Sequence, residues 1–185
     1  MTVKENPVNI RCLEYRQDKT DKDYGSCLYA RFYFNLDTYE LTIISDVGNY
    51  AYQWYATPEH ESFLKLMSQV YDDYLLSKLC ERPTEFDYEA TKSCFYDNAY
   101  YEDEEKSLDN IFGKIEKDDY IPESIEEFIE LFEEENDGSW ADIWDYCVYD
   151  YTAWQKKIVS VFKNHIQPVI RKMVNEESEQ QHGKI

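Results

Sequence analysis

Residues 97–150 hold twenty carboxylates against three lysines, a local net charge of −17 in a chain whose total is −20. A run that was only acidic would stay solvated and unfolded, because it buries too little apolar surface to offset chain entropy. Here Ile125, Phe128, Ile129 and Phe132 recur at the spacing of one helix face, and Glu126, Glu127, Glu130, Glu133, Glu134 and Glu135 fill most of the rest. The charge is therefore expected on a folded surface. A rigid negative surface repels nucleic acid and attracts proteins that bind nucleic acid, so interaction comes before catalysis as the first hypothesis.

With 185 residues and 43% hydrophobic content the chain is long enough to bury a core, as one domain or as a small sheet unit joined to a helical one. No segment approaches the roughly 18 consecutive apolar residues of a membrane span, and Met1–Pro7 lacks the basic-then-apolar pattern of a signal peptide. The expected setting is a cytoplasm, without membrane contact. Cys12, Cys27, Cys80, Cys94 and Cys147 form an odd set with no CxxC pair, and His60, His165 and His182 are scattered. These spacings favour reduced, buried thiols; no metal or cofactor is expected.

The first 56 residues read as strands: Asn9–Tyr15, Cys27–Asn35, Tyr39–Ser45 and Tyr50–Tyr55. Asp46-Val47-Gly48-Asn49 supplies the turn before the last of these, with Gly48 and Asn49 suited to positive φ. From residue 57 the period changes to about 3.6. Thr57 followed by Pro58 and the acids Glu59 and Glu61 resembles a helix start, and that helix is expected to run to about Glu81, burying Phe63, Met67, Val70 and Tyr74 together with Leu64, Tyr71 and Leu75. A further helix is expected within Thr84–Tyr100, and a short one around Leu108–Ile115 weakened by Gly113. The strongest helical pattern of the acidic region spans Pro122–Asn136. Ser139 is placed to cap a further short helix containing Trp140, Ile143 and Trp144. The last helix is expected near Tyr151–Val174 with Trp154, Ile158, Val161, Phe162 and His165 on one side, interrupted by Pro168, and a frayed polar tail follows.

A fifteen-residue helix is about 22 Å long. Seven carboxylates on it, counting Glu123, approach without reaching the duplex DNA density of one charge per roughly 1.7 Å. The residues expected to contact a basic partner are Glu126, Glu127, Glu130, Glu133, Glu134, Asp142 and Asp145, with Trp140 as apolar anchor. The plainer alternative is an acidic surface that merely faces water.

Catalytic patterns are sparse: no phosphate-cradling glycine loop, GxSxG or HExxH occurs. Asp72, Asp73, Glu85, Asp87 and Glu89, with Lys92, could gather a divalent metal for phosphodiester cleavage, so a metal-dependent nuclease stays open as the enzymatic alternative.

Ser45-Asp46-Val47-Gly48-Asn49-Tyr50-Ala51-Tyr52-Gln53-Trp54, then Phe63-Leu64, Asp72-Asp73-Tyr74-Leu75 and Lys78-Leu79, resembles a group of small bacteriophage and prophage proteins. In these an aspartate-x-glycine-asparagine-aromatic hairpin precedes a helix ending in aspartate-tyrosine-leucine. The resemblance covers residues 45–79 and implies a phage accessory protein, a class that includes inhibitors of host defence such as anti-CRISPR proteins and anti-restriction DNA mimics. The acidic segment lies outside it.

The expected fold is α+β: an N-terminal antiparallel β-meander packed against helices, with an acidic helical C-terminal half. Its expected divisions are 1–81, 82–175 and a flexible tail at 176–185. The expected function is inhibition of a host nucleic-acid-processing enzyme, a CRISPR effector nuclease foremost, through mimicry and without direct nucleic-acid binding. Rival roles are the nuclease named above, acting on guide RNA or DNA, and a phage structural or assembly adaptor.

Overall fold

Period-two alternation in the first third of the chain yields a four-stranded antiparallel sheet with one buried face. The computed structural model describes residues 7–55, 62–117, 120–136, 138 and 140–182. Its strands are β1 (Ile10–Arg16), β2 (Tyr29–Asn35), β3 (Glu40–Ser45) and β4 (Gly48–Gln53), in the order β1-β2-β3-β4. The register sets Phe34 between Arg11 and Leu41, and Phe32 between Leu13 and Ile43. Ala30, Phe32, Phe34, Leu41 and Ile43 are thereby all buried, while Cys12, Tyr33, Thr42 and Ala51 line the opposite face. Gly48 alone of the expected turn pair has positive φ, at +127°. A Cβ there would lie 2.6 Å from the Tyr50 hydroxyl, which donates to the Val47 carbonyl.

Two compact units result: Met1–Arg82 with Ala153–Ile185, and Pro83–Thr152. In the first, α1 (Phe63–Gln69), α2 (Asp72–Leu79), α6 (Ala153–Val161), a π-helical turn (Phe162–Ile166) and α7 (Gln167–His182) accompany the sheet. Phe63 packs 6.2 Å from Phe34 and 5.7 Å from Trp54, and Phe162 packs 6.0 Å from Phe32. The C-terminal helices thus belong with the sheet, whereas the sequence order had set 153–175 beside the acidic region.

Several expectations change. The single helix expected to reach Glu81 is two helices, α1 and α2, separated at Val70 and Tyr71, and the break leaves Tyr71 and Tyr74 exposed rather than buried. The expected start at Thr57 and Pro58 lies outside the described residues; α1 is capped by Ser62, whose side chain accepts from the Lys65 N–H at 3.1 Å. Pro168 has no N–H to continue the helical ladder, and a π turn precedes it. Trp154 and His165 are exposed, while Ile158, Val161, Phe162 and Ile166 are buried. Residues 176–182 are helical, part of α7, rather than frayed. Glu176 faces Lys172 and Glu177 faces Arg11, each at about 4 Å.

The second unit comprises a short ribbon, β5 (Glu85–Phe86) with β6 (Tyr149–Asp150), together with α3 (Tyr88–Asp97), α4 (Glu102–Ile115), α5 (Ile125–Glu135) and a 3-10 turn (Ile143–Tyr146). Phe95 centres its core, 4.7 Å from both Phe132 and Tyr146 and 5.2 Å from Trp140. α4 is longer than its pattern suggested. Glu102, Asp103, Glu104 and Glu105 fill its first turn, where negative charge opposes the positive helix end, and Glu104 accepts the N–H groups of Tyr100 and Tyr101.

Candidate functional site

α5 begins where Ser124 accepts the Glu127 N–H at 3.2 Å and ends where the Asn136 N–H bonds back to the Phe132 carbonyl. Ile125, Phe128, Ile129 and Phe132 are buried in the aromatic core, which fixes the rotation of the helix. Glu126, Glu130, Glu133 and Glu134 therefore emerge together on the exposed side.

These four glutamates line one open groove of about 500 Å³ with Ile129 and Trp144. None of the four carboxylates forms a hydrogen bond or ion pair with another described residue. Three of the four lysines of this unit are engaged elsewhere, Lys92 with Glu116, Lys106 with Glu102 and Lys114 with Glu135, and the exposed Lys117 forms no ion pair with any of the four glutamates. The face keeps its charge because its neighbours supply no counterion. From Glu126 to Glu134 the helix rises about 12 Å, so the four carboxylates fall at steps of about 6, 4.5 and 1.5 Å, one per about 4 Å on average. One DNA strand presents a charge about every 3.4 Å and a duplex one about every 1.7 Å. The face matches a single strand in linear density, a narrower correspondence than the seven acids of the sequence suggested.

Glu127 is differently used. Its carboxylate accepts from the Tyr120 hydroxyl and from the Glu123 N–H at 3.0 Å, and these bonds, Tyr120 foremost, hold it below the usual carboxylate range. It closes the helix start rather than facing the groove. Asp142 and Asp145 are exposed on the 3-10 turn around Trp144, and neither lines the groove.

Trp140 is displaced from the anchoring role. It is 7% exposed, edge-on to Phe95 and to Tyr146, so its ring belongs to the core. Trp144 is 56% exposed and lines the groove with the four glutamates. A second groove of about 620 Å³ shares Glu126 and adds Glu85, Glu123 and the exposed Tyr149. Acidic groups thus continue past the N-terminus of α5.

The acids weighed as metal ligands are dispersed among other tasks. Asp87 caps α3 by accepting the Ala90 N–H at 2.9 Å, and Asp72 pairs with Lys163 at 2.8 Å. Among the described residues no three His, Cys, Asp or Glu side chains gather as a metal site. No helix among them is long and apolar enough to cross a membrane.

A two-unit α+β protein with an unpaired acidic helix face beside an exposed tryptophan is the class that fold and site define. The chain belongs to a phage family, phiTE_072, whose model matches residues 1–172. No curated protein and no solved structure shows significant similarity to it.

Proposed function

We propose that this phage-family protein binds and inhibits a host enzyme that processes nucleic acid, with a CRISPR effector nuclease as the leading target. The face of α5 would occupy the enzyme's nucleic-acid channel. Glu126, Glu130, Glu133 and Glu134 meet its arginines and lysines, and Trp144 supplies an apolar and cation-binding ring. The observation that carries this reading is the set of four carboxylates, without counterions among the described residues, at a mean linear density near that of a single strand. Such a protein acts stoichiometrically in the host cytoplasm and needs no cofactor.

The test compares the wild type with the variant E126Q/E130Q/E133Q/E134Q, which keeps side-chain size while removing charge. The wild type is expected to retain a basic nuclease from host lysate at about 50 mM salt and to release most of it at about 300 mM. The variant should retain little at either. Full inhibition by the variant, or capture insensitive to salt, overturns the proposal.

A further inference from the structure

We propose that residues 67–74 are a two-state joint, a helix held broken by Gln167 and Arg171 of α7. Phe63–Leu79 contains neither Pro nor Gly, and its apolar spacing is that of one helix. Nevertheless Val70 (φ −60°, ψ 137°) and Tyr71 (φ −86°, ψ 154°) leave the helical region, and α2 restarts at Asp72. Nothing local requires the break.

The hydrogen bonds show what does. In a continuous helix the N–H groups of Tyr71, Asp72, Asp73 and Tyr74 would donate to the carbonyls of Met67, Ser68, Gln69 and Val70. In the broken form the Gln167 Nε2 donates to Met67 O at 3.1 Å and to Val70 O at 2.8 Å, and the Arg171 Nε donates to Ser68 O at 2.9 Å. Three of the four orphaned carbonyls are satisfied by side chains about a hundred residues away in sequence. Gln167 is fully buried, and its own oxygen accepts from Arg171 Nη2 at 2.8 Å, so both amide hydrogens and the oxygen are used. α7 supplies through side chains what the backbone of 71–74 would otherwise supply.

The donor side lacks such help. Tyr71 gives α2 no side-chain cap, and the N–H groups of residues 71–74 find no acceptor among the described residues. Releasing Gln167 strands the carbonyls and leaves the idle N–H groups as their nearest partners. Closing the helix then satisfies both sets at once. Two arrangements of one segment, each satisfying the same carbonyls, make a discrete switch rather than a soft loop. The break turns Tyr71 outward at 78% exposure and lays α2 near β4, where the Lys78 Nζ sits 5.4 Å from the centre of the Tyr52 ring. Straightening would redirect both, and displacement of α7 is the event that triggers it.

The experiment uses the full chain and reads backbone Cα chemical shifts at residues 70 and 71 with amide exchange at 71–74. In the wild type the shifts should be extended and the four amides close to unprotected. Gln167→Leu keeps bulk but cannot donate; its shifts should become helical and exchange at 71–74 should slow at least about tenfold. Adding Tyr71→Pro should restore the wild-type shift at residue 70 and the fast exchange at 72–74, since proline suits the extended residue and is excluded from a helix interior. A folded Gln167→Leu chain that keeps the break overturns the proposal. If that variant fails to fold, Arg171→Met decides: it frees the Ser68 carbonyl and should slow exchange at Asp72, and unchanged exchange there overturns the proposal equally.

Discussion

Glu130 is the residue at which binding and stability are opposed most directly. On α5 it lies four residues from both Glu126 and Glu134 and three from Glu133. Glu127 is also three away, but its carboxylate is turned back to Tyr120 and Glu123. Helix neighbours at these spacings have Cβ atoms about 5–6 Å apart, and a like-charge pair there destabilises by about 0.2–0.5 kcal/mol. Three pairs give a penalty of about 0.6–1.5 kcal/mol at low ionic strength. Glu and Gln have similar helix propensity, and the Glu130 side chain has no partner among the described residues to lose. Glu130→Gln should therefore stabilise the protein by that amount while weakening its hold on a basic partner. The assay is urea unfolding followed by tryptophan fluorescence, with an unchanged m-value confirming that only stability moved. At about 10 mM salt the screening length is about 30 Å and the full gain should appear, whereas at about 1 M it is about 3 Å, shorter than the pair separations, and the gain should vanish. Destabilisation by Glu130→Gln, or a gain that persists in 1 M salt, would refute the reasoning.

Other outcomes follow from single contacts. Ser124→Ala removes the oxygen that accepts the Glu127 N–H, and unfolding of the 83–152 unit should become easier by about 1 kcal/mol in denaturant titration. The two neighbouring tryptophans should separate. Trp140→Ala opens the core around Phe95 and should cost about 3–5 kcal/mol, while Trp144→Ala should leave unfolding within about 0.5 kcal/mol and reduce partner capture. On the alkaline side, burial pushes the Cys27 and Cys147 thiols up from 9.0 to about 11, and burial with a bond to Asp109 pushes Tyr96 to about 12. Because the folded state retains these protons longer, the stability they contribute is complete below pH 9 and is lost as pH rises towards about 11 for the thiols and about 12 for Tyr96. Denaturation midpoints measured at pH 8 and 10.5 should fall accordingly.

What could be read in the sequence was whatever local periodicity governs. The sheet followed from alternation, since Phe32, Phe34, Leu41 and Ile43 occupy every second position and one slip would have turned them all to solvent. α5 followed from its 3.6-residue spacing, and with it the exposure of four of the five glutamates expected to meet a partner. Glu127 did not, because its use depends on where Tyr120 places a hydroxyl. Trp140 and Trp144 are four residues apart and would share a helix face, yet one is core and the other surface. The chain between them takes a left-handed turn at Asp142 (φ +52°) and then a 3-10 turn, so helical phase is lost. The interruption at Val70 was hidden for a different reason, since its cause sits at Gln167 and Arg171 and no local pattern encodes it.

These misses share a physical origin that bears on function. Where a side chain acts through partners distant in sequence, neighbouring residues carry no trace of the role. The unpaired glutamates of α5 are the contrary case: they have no partner among the described residues, so periodicity alone located them. Their local cost also explains why the charge is not spread evenly over the unit. Lys92, Lys106 and Lys114 offset Glu116, Glu102 and Glu135 around the core, whereas Glu126, Glu130, Glu133 and Glu134 are left to repel one another. A surface needed only for solubility would gain stability by mixing the two signs. Keeping one helix face uniformly negative opposes folding, and under the proposed function a basic partner that neutralised the face on binding would convert that repulsion into affinity.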